Sequence, residues 1–154
     1  MSNPACPFQI VPATWRDLNP VRYLEQVCFP RDGWPLLDIV SVLTLPNVVR
    51  LKAICDMQLI GFVAADVRRH DRISWIATIG VLPAFRRQGI GRALLEACEA
   101  QLPTPFIRLC VRPGNQAAIA MYREMGYSSF ERWKRYYQDG EDAVVMEKVR
   151  QSGL

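Results

Sequence analysis

The sequence predicts a mixed α/β fold: one sheet of about seven strands, antiparallel at its start and parallel at its centre, with about four helices packed on it. Three observations carry this. Residues 48–81 hold three β-branched, apolar runs joined by short polar turns, the pattern of an antiparallel meander. Residues 73–111 then read strand, turn, helix, strand, a unit that crosses over right-handedly and pairs its strands in parallel. After one more helix, two further strand-like runs meet across an Asp139-Gly140 turn.

Each element has its own signal. Residues 1–6 read as a loose terminus and 8–11 as a short first strand ended by Pro12. Thr14 or Asp17 is placed to cap a helix over 18–29, with Pro20 in its first turn, where a missing N–H matters least. The run Phe29-Pro30-Arg31-Asp32-Gly33-Trp34-Pro35 must be a loop, since two prolines and a glycine forbid a regular element. A second helix over 36–45 stops at Pro46. Strands follow at 48–54 and 59–67, the latter nearly all apolar and therefore central. The polar turn 68–72 exposes His70 and leads to the strand 73–81.

Ile90, Leu94, Leu95, Cys98 and Leu102 recur at helical spacing, and Pro103 and Pro105 end that helix. A strand over 106–111 follows. Arg112-Pro113-Gly114-Asn115 comes next, then a helix to Met125, with Ala118, Met121, Tyr122 and Met125 on one face and Gly126 as its C-terminal glycine. Strands at 127–137 and 143–149 close the chain. No repeat or linker interrupts it, so residues 1–154 read as one domain. The core is 73–127, flanked by the loop 29–35 and the terminal hairpin 127–149.

Composition narrows the function. Half the residues are hydrophobic and 22% are charged, which excludes a disordered chain. The net charge of +4 demands no nucleic acid partner. One histidine argues against His-rich metal sites and Ser-His-Asp catalysis, so no metal is expected. The five cysteines are odd in number and lack zinc-like spacing, and the simplest account is a reduced, cytoplasmic protein. No run is long enough to span a bilayer.

The chemistry concentrates in residues 79–92. A strand ends at Pro83, and Arg86-Arg87-Gln88-Gly89-Ile90-Gly91-Arg92 opens the following helix. The glycines let backbone N–H groups approach a ligand at the positive end of the helix dipole, and three arginines add full charges. Together they suit a pyrophosphate. A nucleoside triphosphate loop would need Lys and Ser/Thr where Arg92-Ala93 stands. A dinucleotide loop would need Gly or Ala at Leu94 and an acidic residue about twenty positions on. What remains, Arg-x-x-Gly-x-Gly, resembles the cofactor loop of the GNAT superfamily of acyl-CoA-dependent N-acetyltransferases.

Two later stretches strengthen the resemblance. Asn115-x-x-Ala118-x-x-x-Tyr122-x-x-x-Gly126-Tyr127 is similar to a second superfamily signature, and Tyr136-Tyr137-Gln138-Asp139-Gly140-Glu141-Asp142-Ala143 resembles the ending of protein N-terminal (Nα) acetyltransferases, including the ribosomal-protein alanine branch. The resemblance covers about residues 29–148. It implies acetyl-CoA bound between the fourth and fifth strands. Ile79, Gly80 and Val81 hold its pantetheine arm, residues Arg86, Arg87, Gln88, Gly89, Ile90, Gly91 and Arg92 its pyrophosphate, and Asn115 a further part. Tyr122 stands near the sulfur and protonates the leaving thiolate. Phe29, Trp34, Cys110, Tyr136 and Tyr137 line the acceptor site. The acceptor is the α-amine of a protein or peptide N-terminus, a ribosomal protein among the candidates. No membrane and no nucleic acid is required, and the enzyme is a monomer or homodimer.

The chain departs from the pattern at two places. Cys110 stands where that branch carries a Glu or His general base, and Trp75 where some relatives carry a Tyr. Cys110 is then an inert strand residue, a passive part of the acceptor wall, or an acylated nucleophile. An α-amine, with a pKa of about 7.7–8.0 against 10.4 for lysine, needs the least help in losing its proton, so α-amines are expected over lysines. A water relay to strand carbonyls, or to Glu25 or Glu141, is the expected route for that proton, both glutamates being read as surface positions. Two other readings stand beside this one: acetylation of a small-molecule amine, and a non-catalytic acyl-CoA-binding module.

Overall fold

The computed structural model describes residues 5–150 of the chain, so the expectation for the first four residues lies outside it. Among the described residues the α-helices are α1 (Leu18–Cys28), α2 (Leu36–Thr44), α3 (Ile90–Gln101) and α4 (Gln116–Glu124). The strands are β1 (Gln9–Pro12), β2 (Val48–Cys55), β3 (Gln58–Arg68), β4 (Ile73–Val81), β5 (Phe106–Val111), β6 (Ser128–Trp133) and β7 (Ala143–Val149). They form one mixed sheet in the order β1-β2-β3-β4-β5-β7-β6, in which β4 runs parallel to β5. The expected meander and crossover are both present.

The chain divides into two compact units. The first comprises residues 1–66 and 77–102. Here Thr14 caps a short 3-10 turn reciprocally with Asp17, whose carboxylate also accepts from Lys52 Nζ at 2.7 Å. The apolar stripe of α1 buries Val21 and Leu24, and α2 buries Ile39 and Leu43. Arg50 fastens the end of α2 by donating to the carbonyls of Leu43, Leu45 and Val48. A Cβ on Gly61 would come within 2.9 Å of Leu94, so α3 lies directly on this strand through Ile90 and Leu94. The turn between β2 and β3 has Asp56 and Met57 at positive φ, the geometry of a two-residue hairpin loop.

Cys6 is disulfide-bonded to Cys55, with Cα atoms 6.3 Å apart, which corrects the expectation of five reduced thiols. The cause is strand pairing. Gln9 faces Ile54 across β1 and β2, so residue 6 arrives beside residue 55, a proximity that cysteine spacing alone does not reveal. Cys28, Cys98 and Cys110 take no part in a disulfide.

The second unit comprises residues 67–76 and 103–154. Trp75 of β4 pairs with Arg108 of β5, and Arg108 in turn faces Glu147 of β7. Its buried side chains include Ile107, Leu109, Ile119, Tyr122, Tyr127, Val145 and Met146. Two expectations need correction. Of the face expected for α4, Tyr122 and Met125 are buried, but Ala118 and Met121 are only partly covered and Ile119, which the sequence reading left out, is buried with them. The sixth strand ends at Trp133 and does not reach 137: Arg135 takes a positive φ of 53°, which no strand accommodates.

Candidate active site

The first unit holds the expected cofactor loop. After β4 the chain makes a 3-10 turn over Pro83–Phe85, then enters α3 through Arg87 (φ 63°) and Gly89 (φ 80°). Two left-handed residues in three shape the backbone into a concavity of N–H groups of the kind that receives anions. Gly89 is the N-cap of α3 and Gly91 lies in its first turn, whose N–H groups project outward as at any helix start. Gln88 Oε1 is buried and has no hydrogen-bond partner, an acceptor in search of a donor. The loop thus fits a diphosphate carrying further polar groups.

Gly89→Ala isolates the backbone's part in this. Nothing lies within 4 Å of the added Cβ, so the cost is left-handed strain alone, about 1–2 kcal/mol. Thermal unfolding should show Tm lowered by roughly 3–6 °C, and Gly89→Asn should recover part of it, because Asn tolerates this conformation.

Upstream of the loop, the end of α1 sits on β4. A Cβ on Gly80 would meet Leu24 at 3.2 Å, Cys28 at 3.3 Å and Phe29 at 3.4 Å. The Val81 carbonyl accepts from Cys28 Sγ at 3.4 Å and from Arg86 Nε at 3.0 Å. Phe29 is therefore held against the strand expected to bind the pantetheine arm. Trp34 is not grouped with it: its indole lines a groove beside α2.

Glu25 is 2% exposed, not a surface residue as the sequence reading had it. Its Oε1 accepts from Thr78 Oγ1 at 2.7 Å, and its Oε2 is buried without a partner. Burial pushes its carboxyl above the ordinary value, and the Thr78 bond only partly opposes this. A raised folded-state pKa means stability fully present below the unfolded value, about 4.3, and lost as pH rises through the folded value. Glu25→Gln removes that loss. Urea unfolding at pH 4, 6 and 8 should show the variant gaining on the wild type as pH rises, and a constant gap would refute the assignment.

The second unit holds the remaining expected residues. Tyr122 is buried in α4, its ring edge-on to Tyr127 with centroids 5.8 Å apart. Desolvation pushes its phenol up to about 12. Its turn is pinned from both sides. Asn115 Oδ1 caps α4 by accepting from Ala118 N, and Gly126 (φ 98°) closes it, with Tyr127 N donating to Tyr122 O at 2.9 Å and Gly126 N to Arg123 O at 3.1 Å. That double bond is the Schellman closure.

Tyr136 and Tyr137 lie on the loop between β6 and β7. Trp75, Trp133, Tyr136 and Tyr137 form a ladder of rings with successive centroids 5.6, 5.6 and 5.0 Å apart. Arg112 clamps the loop, pairing with Asp139 at 3.0 Å and Glu141 at 3.4 Å while its guanidinium lies 4.1 Å over the Tyr137 ring. The Tyr136 hydroxyl and the Cys110 thiol influence each other's ionisation. Burial pushes both groups up, and for Tyr136 the thiol adds to the effect. Both therefore keep their protons at neutral pH. Sequence reasoning missed Trp133 and the clamp. The acidic run Asp139-Gly140-Glu141-Asp142 was the available signal for an arginine partner.

The comparisons with known proteins bear on the family and the fold. A profile of the acetyltransferase (GNAT) family matches residues 18–127. The N-alpha-acetyltransferase RimI of Mycobacterium tuberculosis is 39% identical over 148 residues, covering 92% of each chain. An N-alpha-acetyltransferase of Saccharolobus solfataricus is 27% identical over 159 residues, covering 90% of this chain and 91% of its own. Among solved structures, the ribosomal-protein-S18-alanine N-acetyltransferase of Escherichia coli superposes with a TM-score of 0.84 at 26% identity, covering 96% of this chain and 97% of its own.

Proposed function

The chain belongs to the GNAT acetyltransferase family and is an N-acetyltransferase, and from that premise we propose that it acetylates the α-amine of protein or peptide N-termini from acetyl-CoA. The observation that carries the choice of acceptor is the Cys110–Tyr136 pair. Cys110 occupies the place where the related branch carries its base, yet neither member of the pair gives up its proton at neutral pH. The acceptor has to arrive uncharged. Among protein amines only the α-amine is appreciably neutral at pH 7. The relatives named for N-alpha and S18-alanine acetylation support the same choice.

Acetyl-CoA supplies an acyl group activated as a thioester. Ile79, Gly80 and Val81 bind its pantetheine arm through the backbone, residues 86–92 its pyrophosphate, and Asn115 assists. A main-chain N–H near Val81 polarises the carbonyl under attack. Tyr122, held neutral by burial, delivers its proton to the departing sulfur. Phe29 of the first unit contacts the acceptor's first residues, and in the second unit Tyr136 and Tyr137, with Trp75 and Trp133, do the same, with Cys110 passive beside them.

The test is mass spectrometry of a peptide pool incubated with acetyl-CoA, each peptide present with its N-terminus free or blocked and carrying lysine in both forms. Acetyl groups on free N-termini alone are expected. Modified lysines in the blocked peptides would overturn the choice of acceptor, and the preferred first residues would name the substrate class.

A further inference from the structure

Beside α2 the first unit carries a groove of about 310 Å³ that none of the roles above uses. Asp38, Ser41, Val42 and Leu45 contribute one stripe of the helix and its end, Trp34 closes one side, and Val48 paired with Asp66 forms the strand wall. Its lining is of two kinds. Val42, Leu45 and Val48 offer an aliphatic surface, the indole offers a π-face, and Asp38 and Asp66 bring two carboxylates. The slot thus carries two carboxylates, and the nearby Arg50 guanidinium is engaged by the carbonyls of Leu43, Leu45 and Val48.

That combination matches one kind of guest. A lysine or arginine side chain is an aliphatic stem with a cationic head: the stem lies along apolar surface while the head seeks carboxylates or an aromatic face. A purely apolar guest offers the carboxylates nothing, and an acidic one would be repelled by them. Trp34 belongs to the same loop as Phe29, the residue proposed to meet the acceptor's N-terminus. We infer that this groove is a subsite for a basic side chain of the acceptor, downstream of the acetylated residue. The subsite rests on the acceptor reading given above and adds a sequence preference to it.

Partly exposed ion pairs and a cation–π contact are each weak, so the preference should be moderate. The experiment uses free-N-terminus peptides that share a first residue and carry arginine, norleucine or glutamate in turn at each of positions two to six. At one of these positions arginine should raise kcat/KM roughly five- to tenfold over norleucine, through KM, with glutamate worse than both. The advantage should shrink as salt is added. In Asp38→Asn the arginine-to-norleucine ratio should fall towards one, and in Asp38→Lys glutamate should overtake arginine. That reversal cannot come from a misfolded variant.

Ratios near one at every position, or an equal preference for norleucine and arginine that ignores Asp38, would overturn the subsite and leave α-amine acetylation standing. If no free-N-terminus peptide is acetylated, the acceptor reading fails instead. The same peptides labelled with a fluorophore then report the groove directly by anisotropy, where arginine-dependent binding sensitive to Asp38→Lys supports it and its absence refutes it.

Discussion

Tyr122→Phe should lower kcat by about 10²- to 10⁴-fold, the range general acids contribute, while the Kd for acetyl-CoA stays nearly constant. The phenol differs from phenylalanine by one oxygen, and the ring's edge contact with Tyr127 and the closed helix end around it do not depend on that oxygen. A phenol held at about 12 stays protonated throughout the working range and is a proton donor there, never an acceptor. Calorimetry with acetyl-CoA and steady-state kinetics with a peptide acceptor separate the two quantities. Unchanged turnover would remove Tyr122 from the chemistry, and joint loss of binding and Tm would make it a packing residue.

The second large effect is selectivity between amines and its response to pH. At pH 7 about a tenth of a peptide α-amine is uncharged, against well under a thousandth of a lysine ε-amine, so α-amines should react about 300-fold faster on protonation grounds alone. With Cys110 and Tyr136 both protonated, kcat/KM for a peptide N-terminus should rise tenfold per pH unit and level off near 7.7–8.0, the pKa of the amine itself. The sign follows from the neutral amine being the reactive form: more alkaline solution supplies more of it. A break clearly below 7, unchanged when the first residue is varied, would instead report a base on the enzyme.

Much of this site was legible in the chain because its physics is local. Two glycines and three arginines at a strand-to-helix junction describe an anion loop whatever surrounds them, and Gly126 after Met125 announces the helix end that orients Tyr122. Glu25 was legible and was passed over: Val21, Leu24, Glu25 and Cys28 follow the i, i+3, i+4, i+7 spacing of a buried stripe. Its charge argued for the surface, but its position won. Other features were illegible because they arise only when distant segments meet. The reach of residue 6 to residue 55 depends on the register of β1 on β2. The end of β6 at Trp133 depends on the left-handed turn at Arg135, in a loop that Arg112 anchors from after β5.

The contact of α1 with Gly80 carries a consequence for how this chain can change. Leu24, Cys28 and Phe29 all lie within 3.4 Å of where a side chain at position 80 would begin. Replacing Gly80 by alanine asks these side chains to give by a few tenths of an ångström, which is easier once one of the three has shrunk. Shrinking any of them first leaves a void over the strand. Positions 24, 28, 29 and 80 therefore form an epistatic set, in which the effects of single changes do not add. Change at Phe29, by selection or in a mutant library, is therefore eased by paired substitutions in this set.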